Sequence, residues 1–438
     1  MIWLNQIDYY WYEPIYLLNA IGIVPLMLIS TWIQMIFFKW LVMGKLKAGT
    51  YKLFSIFYIR KWFVDQLIQC GNDVTNTFYA TLYLLPCFRM LGIKVGQRAE
   101  ISTASELSYD LVSIGSESFV ADLTTICSPK IYNSEFTLEQ TKIGDRAFIG
   151  NNSVLSSGIT ITDGTLIGVL SVPSINNEDL KLKNTSWFGS PAINLPRRDT
   201  KINFSDSERY NPPTKLYFQR LFIEYFRITL PLTTSIVILS FQITAFSNLL
   251  EAMGYLQAIL LFPFLYFLSC IVMVFMMMIL KKLLIGTYHP IEKPLWNNFV
   301  WRSELLTTYY ENTVVPFLLE NLRGTPFICV FLRILGCKIG KRVFIDTTDI
   351  TEHDMITIGD DAIINDNATL QSHLFEDRVI KVGYVKIGSR CTVGSFSVIL
   401  YNTEMKEDSE LGDLSLLMRG EILPASTRWQ VLPAQRIL

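Results

Sequence analysis

Along two stretches of the chain an aliphatic residue recurs at every sixth position, with mostly small or polar residues between. In the second stretch Ile339 and Ile345 are six apart; after a one-residue slip Ile358, Ile364 and Leu370 resume the step, and Ile387, Val393, Ile399, Met405 and Leu411 continue it. The first stretch has Val95, Ile101, Ile114, Val120 and Ile126, then Ile143, Ile149, Leu155, Ile161 and Ile167. A shift of 244 residues carries one series onto the other, slip included, as Ile114 onto Ile358 and Ile143 onto Ile387. The chain is internally duplicated. A period of six is neither helical nor strand-like. It fits a triangular parallel β-solenoid in which each hexad forms one face, its aliphatic residue points inward, and three hexads complete a coil. The coils must stack, because one alone cannot cover its apolar edges. Glycine often follows the aliphatic residue (Gly144, Gly359, Gly388, Gly394), where a larger side chain would crowd the corner.

Three other segments are apolar throughout. Ile15–Met43 carries only Lys39, while Ile228–Leu250 and Tyr255–Leu280 contain no Asp, Glu, Lys or Arg. Each exceeds the ~18–20 residues that span a bilayer. The predicted fold class is therefore membrane α plus β-solenoid: two tandem left-handed parallel β-helix (hexapeptide-repeat) domains alternating with transmembrane helices. The expected division is an extracytoplasmic tail at 1–14, a span at 15–43, interfacial helices at 44–94 and a degenerate solenoid at 95–192. A linker and juxtamembrane helix follow at 193–227, spans at 228–250 and 255–280, interfacial helices at 281–338 and the catalytic solenoid at 339–434. The stretches before each solenoid end alike, Arg89-Met-Leu-Gly92 and Arg333-Ile-Leu-Gly336, and suit either helices at headgroup depth or caps over the first coil.

Charge then orients the chain. The first fourteen residues and the turn Asn248–Gly254 have no Lys or Arg, whereas Lys45, Lys47, Lys52, Arg60, Lys61, Arg197, Arg198, Lys201, Arg220, Arg227, Lys281 and Lys282 flank the other ends. The positive-inside rule predicts an outside N-terminus, a plasma (inner) membrane location and both solenoids in the cytoplasm. Seven scattered cysteines without a CxxC pair agree with a reducing compartment. A net charge of −1 supplies no argument for a nucleic-acid partner.

The duplication also separates scaffold from chemistry. Lys94/Lys338, Gly96/Gly340, Arg98/Arg342, Asp110/Asp354 and Gly144/Gly388 are shared by both copies. In the second copy alone, the run that interrupts the hexads carries His373, Glu376, Asp377 and Arg378, where the first has Pro129, Tyr132, Asn133 and Ser134. Upstream, Glu352 and His353 replace Ser108 and Tyr109. A histidine titrates near neutral pH and can take a proton from an attacking amine. Glu376 or Asp377 would hold the imidazole tautomer, and Arg378 would present a planar fork to a phosphate or carboxylate. Glu352, Asp354 and Gln371 complete the expected donor and substrate contacts. The rival reading of this group is a solvated loop on a non-catalytic scaffold. With only His289, His353 and His373 in the chain, a three-histidine zinc site is not expected.

Trp187-Phe-Gly-Ser-Pro-Ala192 and Trp429-Gln-Val-Leu-Pro-Ala434 resemble the Gly-x-Pro-Ala closure of the hexapeptide-repeat acyltransferases, with Val431 in place of the glycine. Many of those enzymes bind acetyl-CoA and use a histidine base. A resemblance over nearly the whole chain is to the membrane C-terminal region of the synthetases that make ε-poly-L-lysine and related isopeptide polymers. Leu322-Arg-Gly-Thr-Pro326, Leu335-Gly-Cys-Lys-Ile-Gly340, Gln371-Ser-His-Leu-Phe-Glu-Asp-Arg-Val379 and Met418-Arg-Gly-Glu421 carry it. That region has three tandem units and is credited with joining amino acids delivered by adenylation and carrier domains. The resemblance implies an acyl or aminoacyl transferase that forms an amide (isopeptide) bond. Its donor would be a phosphopantetheine thioester on a carrier protein or CoA, supplied in trans. The expected partners are membrane lipid and a carrier–adenylation protein, or a longer chain of which this is part. Sites between adjacent solenoids in the resembled transferases leave a homo-oligomer open. Acetyl-CoA-dependent O-acetylation of a glycan is the alternative chemistry.

Overall fold

The structure, a computed structural model, describes residues 14–105, 107–173, 182–195 and 204–437, with backbone only at 14–20 and 105. Most of the predicted tail (1–13) and the linker arginines and lysine at 197, 198 and 201 lie outside the described residues. The chain divides into two compact units: Met27–Glu224 together with Phe375–Val379, and the remainder.

In the first unit the hexads become short parallel strands. Thr160–Ile161 pairs with Thr141–Ile143, which pairs with Val112–Ile114 and then Lys94–Val95. Two further ladders run alongside, one from Glu100–Ile101 to Ile193–Asn194, the other through Ala104–Ser105, Thr124–Ser128 and Val154–Ser156. Ile143 meets Ile161 and Ile149 meets Ile167, three hexads apart, so like positions stack. The repeating aliphatics from Ile101 to Ile167 are all buried. A Cβ on Gly144 would lie 2.6 Å from the Asp163 nitrogen, which explains the corner glycine. The second unit repeats the scheme, with Ile387 against Met405 and Val393 against Leu411. Here a Cβ on Gly388 would come within 2.8 Å of the Met405 oxygen.

Each first rung is covered by a short amphipathic helix. Helices α1 (Pro14–Phe38), α2 (Ile56–Thr75) and α3 (Leu84–Leu91) precede the first ladder, and the π-helical turn Lys39–Met43 extends α1. Arg89 at the end of α3 donates to the carbonyls of Val95 (3.1 Å) and Gly96 (3.0 Å), capping unpaired strand acceptors. Arg333 does the same for Ile339 (3.0 Å) and Gly340 in the second unit. The shared Arg-x-Leu-Gly is thus a cap. The outer faces of these elements stay apolar and exposed: Phe54, Ile56, Ile59 and Trp62 in the first unit, Phe327, Val330 and Ile334 in the second.

Three helices are long and apolar enough to cross a membrane: Ile21–Met43, α4 (Thr214–Met253) and α5 (Tyr255–Leu284). The 40-residue α4 joins the expected juxtamembrane helix and second span into one element. At 1.5 Å per residue it is about 60 Å long, roughly twice a ~30 Å hydrocarbon core. Its early turns accordingly carry the buried Arg220, Glu224 and Arg227. The turn to α5 is Gly254 alone, at φ +85°, and Glu251 lies inside α4 rather than in a loop.

A lysine near the end of a long apolar helix is tied to the strand ladders in both units. Lys39 pairs with Asp110 at 2.8 Å, and Lys281 with Asp354 at 2.8 Å. Each aspartate also accepts a backbone N–H, from Leu46 and Tyr288 respectively, both at 2.9 Å.

Candidate active site

The interruption of the hexads is a β-hairpin. In the first copy Lys130–Tyr132 and Glu135–Leu138 are its arms, and Gly49–Lys52 adds a third antiparallel strand. In the second copy the arms are His373–Glu376 and Val379–Val382, with Ile291–Pro294 as the third strand. Rung stacking sets the base of this hairpin. Leu370 bridges to Ile350 in parallel, which brings Ser372 and His373 beside Glu352 on the preceding rung.

The Glu352 carboxylate is almost fully buried (1% exposed) and accepts three hydrogen bonds: His373 Nδ1 at 2.8 Å, Ser372 Oγ at 2.7 Å and Thr351 Oγ1 at 2.8 Å. Burial by itself pushes this carboxyl up. The nearby imidazole and the three hydrogen bonds outweigh it and hold Glu352 below the ordinary value. An ionised carboxylate can only accept, so Nδ1 carries the proton, and the neutral ring has its lone pair on Nε2. His373 retains 18% side-chain exposure. Glu352 sits at φ +31°, ψ +55°, a left-handed conformation unfavourable for glutamate. Such strain costs on the order of 1–3 kcal/mol and persists where the surroundings over-determine it. At the matching place in the first copy Ser108 has φ −85°.

These contacts revise the expected roles. The carboxylate that meets His373 Nδ1 is that of Glu352, where Glu376 or Asp377 was expected. Glu376 lies three residues further along the strand, and side chains three apart in a strand point to opposite faces. Asp377 lines a cavity of about 500 Å³ in the first unit with Glu117, Arg146, Arg209 and Tyr210. Arg378, expected to grip a donor, is 1% exposed and bonds to protein carbonyls and Glu100. Burial lowers its pKa foremost, with the Glu100 carboxylate opposing. Asp354 is held by Lys281 just as its scaffold counterpart Asp110 is held by Lys39, so it too is structural. Gln371 is buried on the strand paired with Leu400. His353 is enclosed edge-on to the Tyr310 ring at 4.9 Å. Burial, helped by Lys281, pushes its pKa down to about 3, so it stays neutral and cannot take a proton near pH 7.

The pairing of Glu352 with His373 was the main contact missed from the residues alone. Its signal was present: both members are lost together in the first copy, to Ser108 and Pro129.

The chain is 38% identical over 423 residues to the delta-poly-L-ornithine synthetase of Acinetobacter baumannii (strain AB307-0294). The match takes in 96% of this chain and 31% of that protein, so the chain spans about a third of its relative. The relation to poly-amino-acid synthetases read from the motifs thereby holds. No protein-family model matches the chain. Among solved structures, a hexapeptide-repeat acetyltransferase from Vibrio cholerae aligns at 14% identity, over 39% of this chain and 91% of its own, with a TM-score of 0.23. A maltose O-acetyltransferase from Clostridium difficile 630 aligns at 17%, over 34% and 91%, with a TM-score of 0.24. Likeness this slight does not bear on activity.

Proposed function

We propose that the chain is a membrane-embedded transferase that forms an amide bond from a phosphopantetheine thioester, with His373 as general base and Glu352 as the residue that orients it. The observation carrying this reading is the buried Glu352–His373 pair, present in one copy and absent as a pair from the other. The similarity to a poly-ornithine synthetase supports an amine acceptor, since a poly-amino acid is joined by amides. In the step itself the acceptor nitrogen attacks the thioester carbonyl and passes a proton to His373 Nε2 as the C–N bond forms. The C–S bond then breaks, and the imidazolium returns that proton to the departing thiolate. The rungs would wind left-handed into two solenoids, within the domain limits read from the hexads. The donor would come from a carrier protein or CoA in trans.

The direct test uses the purified chain in lipid with an aminoacyl phosphopantetheine thioester and a primary amine. Amide and free thiol should appear in equal amounts by mass spectrometry. Transfer only of acetyl groups to sugar hydroxyls would move the reading to glycan O-acetylation, and inertness towards both acceptors would leave a scaffold.

The proposed topology has three spans and both solenoids in the cytoplasm, with the exposed apolar faces of α2 and of Pro326–Leu335 at headgroup depth. In a cysteine-free background, Ala252→Cys should react with an impermeant thiol reagent added to intact cells, and Ser205→Cys should not. External labelling at 205 would overturn the orientation.

A further inference from the structure

The tip of the His373 hairpin, Phe375–Val379, packs within the first unit, and its contacts there are specific. The Phe375 ring stacks on Phe119 (5.4 Å, 28°), which stacks on Phe148 (5.3 Å, 13°). Arg378 donates to the carbonyls of Arg98 (2.8 Å) and Glu117 (3.1 Å) and reaches Glu100 Oε1 at 3.4 Å. Glu100 is itself gripped by both terminal nitrogens of Arg220 at 2.7 Å, and Arg220 also holds Glu224 at 2.6 Å. Arg209 donates to the Asp377 carbonyl at 3.4 Å, and the Tyr210 ring lies 5.5 Å from the Arg378 guanidinium.

The turn at this tip has both central residues left-handed, Asp377 at φ +47° and Arg378 at φ +64°. The first copy makes the same turn with Asn133 (φ +47°) and Ser134 (φ +60°), and asparagine is an accepted residue for it. Left-handed backbone is unfavourable for any residue with a Cβ, yet Arg98, Arg146, Arg342 and Arg390 adopt it elsewhere in the chain. What sets Arg378 apart is that its guanidinium is buried on fixed protein acceptors.

We infer that Arg378 is a positioning residue. By locking the hairpin tip into the first copy it fixes the strand His373–Glu376, and with it the direction in which the imidazole faces. This assignment rests on the reading of His373 as general base. The first copy, which lacks the histidine, then serves as a rigid anchor for the strand that begins with it.

Arg378→Met keeps the aliphatic stem and removes the fork; Glu100 remains neutralised by Arg220, so the variant is expected to fold. Arg378→Lys keeps the charge but cannot serve two carbonyls and a carboxylate in one plane. In the full chain in lipid, hydrogen exchange of the hairpin amides should quicken in both variants, and the ¹⁵N signal of the His373 ring should shift or broaden. The chain has only three histidines, which makes that signal assignable. The kcat for amide formation should fall about 10²-fold at unchanged KM, the scale of a small misplacement of a reacting group. If Arg378→Met fails to fold, Phe375→Leu weakens the same anchor and takes the same measurements. Exchange and imidazole signals equal to the parent's would overturn the anchor, and a loosened hairpin with parental kcat would overturn the positioning role. A parent chain that makes no amide would instead sink the base assignment, with exchange and the ring signal still deciding the anchor.

Discussion

On the proposed mechanism, His373→Asn should lower the rate of amide formation about 10²–10⁴-fold, the range for losing a general base. Asparagine is the informative replacement because its amide N–H can take the place of Nδ1–H toward Glu352 while offering no proton acceptor. His373→Ala should be equally inactive but also less stable. It leaves the Glu352 carboxylate, 1% exposed, with only Ser372 and Thr351 as partners. Leaving a buried acceptor short of a hydrogen-bond partner costs about 1–3 kcal/mol. Turnover and thermal melting of the two variants therefore separate chemistry from folding. A folded His373→Asn protein with near-parental turnover would eliminate the mechanism.

Glu352→Gln should lose about 10²–10⁴-fold in rate with the fold retained, the scale reached when an orienting carboxylate becomes an amide. The amide can donate to Nδ1, which moves the ring proton to Nε2 and removes the lone pair from the reacting side. Stability follows from the carboxyl itself. Glu352 is held below its ordinary value in the folded chain. The unfolded chain therefore binds the extra proton first as pH falls. Its stabilising contribution is complete above the ordinary carboxylate range, near pH 4.3, and is lost as pH drops through the lower folded value. Melting curves of the parent should show this loss, and those of Glu352→Gln should lack it. Identical acid dependence of the two would mean the carboxylate is not ionised in the folded state.

How legible each feature was depends on how far apart its parts lie in the chain. The buried aliphatics Ile143, Ile149, Leu155 and Ile161 could be read directly, since a six-residue step is a local consequence of building one flat face per hexad. The corner glycines Gly144 and Gly388 could be read for the same reason. Comparing the copies marked Asp110 and Asp354 as shared, although Asp354 was also expected at the donor; Lys39 and Lys281 hold the two aspartates alike. The strands Gly49–Lys52 and Ile291–Pro294 went unread because a four-residue edge strand carries no period of its own. Their partners were hidden inside an interruption that looked like a loop.

What the sequence determined alone is the repeat, its duplication, the three apolar helices and the asymmetry between copies that singles out His373. All of these are properties of spacing and composition. Tertiary structure decided which carboxylate serves the histidine and what becomes of the arginine. Glu352 and His373 are 21 residues apart and meet only because one rung stacks on the next. Arg378 and Glu100 are 278 residues apart, and burial turned an arginine suited to gripping a ligand into an anchor. A guanidinium enclosed among protein acceptors is out of a substrate's reach, and that enclosure is a property of the packed chain rather than of any motif in it.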